Sequence, residues 1–427
     1  MTIYLDNNAT TQVDPRVVEA MAECYRRWPG NPASQHAPGR AARRVLEEAR
    51  EEIAALLGAN AAGRHPDKLI FTSGATEANN LAMRGIVGTV GPTFLSANNN
   101  TAPPHLILSA IEHPSVSALA DQLATEGVAI ARLPVDHHGV IILDELAPLL
   151  TPQTRLVCVM LGSNETGALQ PVAEAAAICR AANVPLHSNA GVPLHCNVGV
   201  PLHCDAVQVA GKLPINFAAL GAATMSISAH KFHGPRGVGA LVVRGGTQLT
   251  PQLYGGFQQE ALRPGSEPVA LAVGMATALR LWHSEAAARA ARMTAQRDQF
   301  ESQLLSGDPT IVIHAQGAAR LPHTSHMAFP GLDRQALLMA LDLAGVACSA
   351  GSSCASGSSE LSPTLLAMGI SHPLATASLR FSLSAQSMPE EVREAARRIL
   401  KVCNNLRSLQ EHRKSPLAAP LEASKPV

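Results

Sequence analysis

Four kinds of residue in this chain could do chemistry if the fold brings them together. Lys231 closes a run of small residues in SISAHKFHGPRGVGAL (226–241) and precedes a glycine-rich turn. A lysine desolvated at the end of an apolar strand becomes a usable amine nucleophile; one that turns to water is only a strand-end charge. LIFTSGATEANNLAM (69–83) reads as strand, Ser-Gly turn and helix. The amides of Ala75 and Thr76, with the hydroxyls of Ser73 and Thr76, could cradle a phosphate at a helix N-terminus or serve as an ordinary cap. Asp205, in HCDAVQ (203–208), is an acid in an otherwise apolar strand. Such a carboxylate is costly to bury unless it meets a positive partner. Cys354 lies in the polar run SAGSSCASGSS (349–359), whereas Cys348 has apolar neighbours in GVAC. That placement suits a reactive thiol, or an incidental surface one.

An amine, a buried acid, a phosphate cradle and a thiol together fit pyridoxal 5'-phosphate. Its aldehyde needs the lysine, its ring nitrogen needs an acid, and its phosphate needs a helix N-terminus. The Gly234-x-x-Gly237-x-Gly239 run matches neither a P-loop nor a dinucleotide fingerprint.

The elements that must position these groups alternate along the chain. Strand patterns lie at 68–72, 105–109, 156–161, 224–228 and 238–243, and several are apolar on both parities, as in parallel strands covered on both faces. Helical patterns occupy 77–86, 115–124 and 172–182, and an amphipathic stretch at 40–57 ends before Gly58. The expectation is an α/β doubly wound sheet. Beyond a helix at 269–292 come short strands at 310–314, 326–329, 346–349 and 379–382, with helices at 334–344 and 389–402. We therefore expect a large, mainly parallel domain over 15–275 and a smaller α+β domain formed by 1–14 with 276–410. The Pro- and Ala-rich segment 411–427 reads as an unstructured tail.

The composition narrows the function. The 427 residues carry 33 Lys and Arg against 33 Asp and Glu, so no net field draws in nucleic acid or an anionic membrane. Apolar residues make up 46% and charged ones 15%, which suits a large core rather than disorder. Aromatics are only 3%, so a ring-shaped ligand must stack on something other than Trp or Tyr. Eight scattered cysteines without a CxxC pair suggest reduced thiols. The start MTIYLDNNATT lacks the pattern of a signal peptide, and the apolar stretch 268–281 is shorter than the roughly 18 residues a span needs. A soluble cytoplasmic protein is expected.

Three tandem octapeptides, VPLHSNAG (184–191), VPLHCNVG (192–199) and VPLHCDAV (200–207), interrupt this pattern. His187, His195, His203, Cys196 and Cys204 merely recur with the repeat and match no zinc spacing, so no metal is expected. Only the third copy carries an acid; Asn189 and Asn197 stand at the equivalent places.

Read in order, YLDNNATT (4–11), GNPASQH (30–36), TSGATEANN (72–80), EHPSV (112–116), SNETGALQP (163–171), HCDAVQ, SAHKFHGPRGVGAL, RPGSE (263–267), the Cys354 loop and LRFSLS (379–384) span nearly the whole chain. This succession resembles the NifS/IscS-type cysteine desulfurases, members of the class V aminotransferase group with the pyridoxal-phosphate-dependent transferase fold of type I. The resemblance implies that Lys231 holds the cofactor covalently, Asp205 pairs with its ring nitrogen and Gln208 bonds its phenolic oxygen. Ala75, Thr76, Ser228 and His230 would bind the phosphate. His113 would stack on the ring and assist proton transfer, and Asn164 would contact the cofactor. Ser266, where the family has Thr, would complete the phosphate site of a partner subunit in a homodimer. Asn31 and Arg380 would hold the carboxylate of L-cysteine, and Cys354 would take its sulfur as a persulfide. That sulfur would go to an acceptor such as an iron–sulfur scaffold protein.

Two departures from the family stand out. Sixteen extra residues (184–199) precede the strand bearing Asp205, and GGFQQEA (255–261) differs from the usual run near the subunit contact. The third octapeptide is expected to take the strand, because only it continues into AVQVAGKLPIN, with the other copies bulging out as a loop. A selenocysteine lyase, another class V transferase, or a cofactor-binding relative disabled by the insertion are the alternatives.

Overall fold

The computed structural model describes residues 2–88, 102–182, 199–351 and 361–414. A seven-stranded sheet dominates. It contains β2 (Lys68–Thr72), β3 (His105–Ser109), β4 (Ala129–Leu133), β5 (Thr154–Cys158), β6 (Leu202–Asp205), β7 (Thr224–Ser228) and β8 (Gly239–Val243), in the order β2-β8-β7-β6-β5-β3-β4. The ladders from β7 through β4 are all parallel; β8 alone runs antiparallel to both of its neighbours.

Alternate residues enter opposite cores, as a two-residue period demands. Ile107, Val157, Met225, Ile227 and Val242 face a cluster with helices α1 (Pro15–Arg27), α2 (Ala37–Leu56) and the first half of a long helix, Val269–Gly307. Leu106, Leu108, Leu156 and Cys158 face α3 (Ala75–Val87) and α4 (Pro114–Thr125), and Ile70, Leu241 and Val243 also pack on α3. A further helix, α5 (Val172–Ala181), adds to the first face. The long helix, α6, continues well past the 292 expected from sequence. Strand β4, with partly exposed side chains at the sheet edge, has no counterpart among the strands read from sequence. The pattern at 156–161 is realised by β5 and the bonds that prolong it. Val159 N donates to His203 O (3.0 Å) and Leu161 N to Asp205 O (2.8 Å).

The third octapeptide forms β6, pairing His203 with Thr224 and Asp205 with Ser226 on β7. The upstream copies, apart from Gly199, lie outside the described residues.

A second hydrophobic cluster joins Ile3 and Leu5 to Phe300, Leu304, Met327, Phe329, Leu379, Phe381 and Ile399. It is covered by α7 (Arg334–Leu343) and α8 (Pro389–Lys414). Its strands form the antiparallel set β12 (Ser378–Ser382), β10 (Thr324–Ala328) and β9 (Val312–Ile313), plus the pair β1 (Ile3–Tyr4) and β11 (Val346–Ala347). The segment after β1 leaves this lobe for the large sheet: Asn7 N donates to Ser382 O (3.3 Å), and Thr11 N to His230 O (2.9 Å). Residues 6–11 therefore stitch the lobes together beside Lys231. Among the described residues, no helix is long and apolar enough to cross a membrane.

The glycine-rich run finds its reason in close packing. A Cβ on Gly239 would lie 2.7 Å from Gly74 C and 2.7 Å from Ile227 O, so β8 passes against the turn ahead of α3 only because no side chain intervenes. Gly239→Ala is expected to lower stability by about 1–3 kcal/mol, measured by urea denaturation. An unchanged midpoint would show that this contact is slack.

Candidate active site

The strand–turn–helix at β2–α3, the end of β6 and the turn after β7 converge on one cavity of about 480 Å³. Lys231 lies in a short 3-10 turn directly after β7, where Ala229 N bonds back to Val238 O (3.2 Å). Its Nζ reaches the carbonyls of Asn8 (2.5 Å) and Ala9 (3.0 Å) on the stitching segment. Ala75, Thr76, Ser228 and His230 line the same cavity, as do His113, Asn164, Asp205 and Gln208. Ser73, Thr10, Ser115, Met160 and Arg236 join them without having been singled out for this role by the resemblance.

Asp205 is 7% exposed, and its partners are amides: Asn79 Nδ2 donates to Oδ2 (2.9 Å) and Val207 N to Oδ1 (3.0 Å). Among the described residues no cation pairs with it. A buried carboxylate so placed favours a positive partner in the cavity. At the other end, Gly74 caps α3 with no side-chain bond, and a Cβ there would meet only Ser228 Oγ, 3.9 Å away. Open space over unpaired helix amides accepts an anion. Gln208 Nε2 donates to Asn8 O (3.0 Å), leaving its buried Oε1 without a partner. A cation-seeking acid, an anion cradle and an amine between them fit pyridoxal phosphate.

His113 acts as the N-cap of α4: its Nδ1 accepts from Ser115 N (3.1 Å) and lies 2.8 Å from Ser115 Oγ. Burial lowers its pKa, with Lys231 and Arg380 adding to the effect and Asp205 opposing it. Burial and the charge of Lys231 take His230 down to about 4, so it meets a ligand as a neutral ring. Lys212, buried behind the site without a hydrogen-bond partner, has its pKa driven well down by burial and by Lys231.

Arg380, Asn31 and Ser266 do not line this cavity. Arg380 is 1% exposed; Asp6 Oδ1 (2.8 Å) and the carbonyls of Asn164 (2.8 Å) and Gly351 (3.0 Å) hold its guanidinium, and its Nε has no partner. Asn31 is exposed and accepts from Ala33 N (2.9 Å). Ser266 is exposed and lines no part of its own chain's cavity, although nearby Arg263 bonds Glu77 (2.8 Å) on α3. Cys354 lies outside the described residues. Sequence reasoning missed Asn79, Ser115 and His203. The signal for His203 was its parity: two residues from Asp205 on a strand, it shares that acid's face.

The comparisons with known proteins agree with this geometry. A family model described as aminotransferase class-V matches residues 3–394. A cysteine desulfurase from Trichormus azollae is 36% identical over 412 residues, covering 95% of this chain and 94% of that protein. The cysteine desulfurase NifS of Azotobacter vinelandii is 35% identical over 430 residues, covering 100% and 99%. The solved structure of a NifS-like protein superposes with TM-score 0.81 at 33% identity, covering 95% of this chain and all of that one (100%).

Beside His113, Glu112 is buried; its Oε1 accepts from Ser109 Oγ (2.5 Å) and Met160 N (2.7 Å), and its Oε2 has no partner. Burial raises its pKa from 4.5 to about 8; the two hydrogen bonds oppose the rise and the charge of Asp205 adds to it. Between those values the folded chain keeps a proton that the unfolded chain has lost. Stability should therefore fall as pH rises through that window, by up to about 1.4 kcal/mol per unit. Glu112→Gln should abolish that slope in urea titrations at several pH values. A slope unchanged in the variant would contradict a buried neutral Glu112.

Proposed function

The chain belongs to the aminotransferase class-V family, and we infer from its site that it is a pyridoxal-phosphate-dependent cysteine desulfurase. It takes sulfur from L-cysteine, leaving L-alanine and a persulfide on Cys354. The observation that carries this reading is the single cavity in which Lys231, the cation-seeking Asp205 and the open N-terminus of α3 meet, in a chain whose relatives bear that name.

Lys231 would hold the cofactor, Asp205 its ring nitrogen, and Ala75, Thr76, Ser228 and His230 its phosphate. Gln208 and Asn164 would contact it on the side of its phenolic oxygen, and His113 would cover the ring. When bound, the cofactor supplies an electron sink for charge developing at the substrate's Cα. The chain supplies position and proton transfer. Lys231 moves the proton at Cα. Arg380 and Asn31 would hold the substrate carboxylate, which requires the guanidinium to share or exchange Asp6 for it. The Cys354 thiolate attacks the substrate sulfur: a sulfur–sulfur bond forms, the carbon–sulfur bond breaks, and its electron pair returns to the carbon that is protonated to give alanine.

Two neighbours of this reading rest on fewer observations. Ser266 is exposed and lines no part of its own cavity, and Leu253, Tyr254 and Phe257 in the preceding segment are strongly exposed, which supports a homodimer in which this segment completes the partner's phosphate site. Among the described residues the cysteines are unpaired and most are buried, which supports a cytoplasmic location. Delivery to an iron–sulfur scaffold would follow from the persulfide.

Alanine release from L-cysteine by the purified protein tests the reading, with L-selenocysteine as the competing substrate. Cys354→Ser should retain the cofactor's visible absorbance and lose alanine release with cysteine by at least about a hundredfold. Full sulfur release in that variant would remove Cys354 as the nucleophile. Release from selenocysteine alone would identify a lyase instead.

A further inference from the structure

The two groups expected to touch the cofactor ring, Asp205 and His113, come from different elements, yet one side chain bonds toward both. Asn79, wholly buried on α3, donates from Nδ2 to Asp205 Oδ2 (2.9 Å) and to Ser115 Oγ (2.8 Å). Ser115 Oγ in turn lies 2.8 Å from His113 Nδ1. On the other side, Asn79 Oδ1 lies 3.0 Å from His203 Nε2, and His203 Nδ1 lies 2.8 Å from Thr224 Oγ1.

The proton positions follow from the one member whose role is unambiguous. An ionised carboxylate only accepts, so the amide edge facing Asp205 must be the NH2. Asn79 Oδ1 then faces His203, whose Nε2 must carry the proton. Its Nδ1 must consequently accept, from the Thr224 hydroxyl. Because the second N–H of Asn79 goes to Ser115 Oγ, the Ser115 proton is left to point at His113 Nδ1. That nitrogen already accepts from Ser115 N (3.1 Å), so the proton of a neutral His113 sits on Nε2. Every bond in the chain then has one donor and one acceptor.

Resting on the cofactor reading above, we propose that Asn79 is a positioning residue that joins Asp205 and His113 into one polar unit, and that His203 with Thr224 sets the orientation of its amide. The arrangement is built by the fold at three places. Thr224 stands directly opposite His203 in the β6–β7 ladder; His203 and Asp205 share one face of β6; and α3 lays Asn79 across both. His203 is buried and reduced to about 4, so it remains neutral through the physiological range and does not release the amide. Among the described residues, the ionisable groups that feel the charge of Asp205 include Glu112, His113, Cys158, His203 and Cys204.

The test uses the full-length holoprotein and two readouts that need no turnover: the pH midpoint of the cofactor's visible absorbance and the rate of cofactor release. Asn79→Ala and His203→Leu should each shift the midpoint and speed release by about tenfold, as loss of an outer positioning partner does elsewhere. His203→Gln, which keeps a donor where Nε2 stood, should recover most of the difference. The double variant should be no worse than the poorer single one, because both act through one amide. If Asn79→Ala fails to fold, Thr224→Val with Thr224→Ser as its rescue reads the same chain from the far end. A midpoint unmoved in variants that are merely less stable, or effects that multiply in the double variant, would overturn the proposal. A wild-type protein with no cofactor band overturns the cofactor reading itself, a result distinct from a band that Asn79→Ala leaves unmoved.

Discussion

A carboxylate buried with no cation paired to it among the described residues is the constraint around which this molecule is arranged. Asp205 sits at the end of β6 between parallel neighbours, where water cannot solvate it well. Two amide donors keep it oriented but do not neutralise it. A protonated ring nitrogen would, and the same cavity offers an amine and the open end of a helix.

The rest of the architecture holds that cavity at a seam. Parallel strands deliver β2–α3, β5, β6 and β7 with their C-terminal ends on one side, where ligand sites in open α/β sheets form. The segment 6–11 then crosses from the small lobe and sets the carbonyls of Asn8 and Ala9 on Lys231. Asp6, in the same segment, holds Arg380 of β12. One short stretch, turned at 7–9, therefore touches the amine and the guanidinium together, so the lobes cannot shift without both groups being felt.

Much of this was legible because it is local. Ser73 to Asn79 carry strand, turn and helix signals within a few residues, and Lys231 follows its own strand. Those segments fold as read, and the third octapeptide takes the strand because it alone runs on into the apolar AVQVAG. What stayed hidden depends on distant partners. Asp6 and Arg380 are 374 residues apart. His203 meets Asn79 across 124 residues, and nothing in either stretch announces the other. Strand β4 escaped because an edge strand, partly wet on its faces, lacks the apolar runs that marked its neighbours. The length of α6 was underread because its second half belongs to the other lobe, whose core is assembled from both chain ends.

The central claim is that one particular amine carries the cofactor, and the buried Lys212 behind the site is its sharpest competitor. Reduction of the holoprotein with borohydride, followed by peptide mapping by mass spectrometry, decides between them. The account predicts a single pyridoxyl-phosphate tag on the peptide containing Lys231. A tag on Lys212 or another lysine, or none at all, would contradict it.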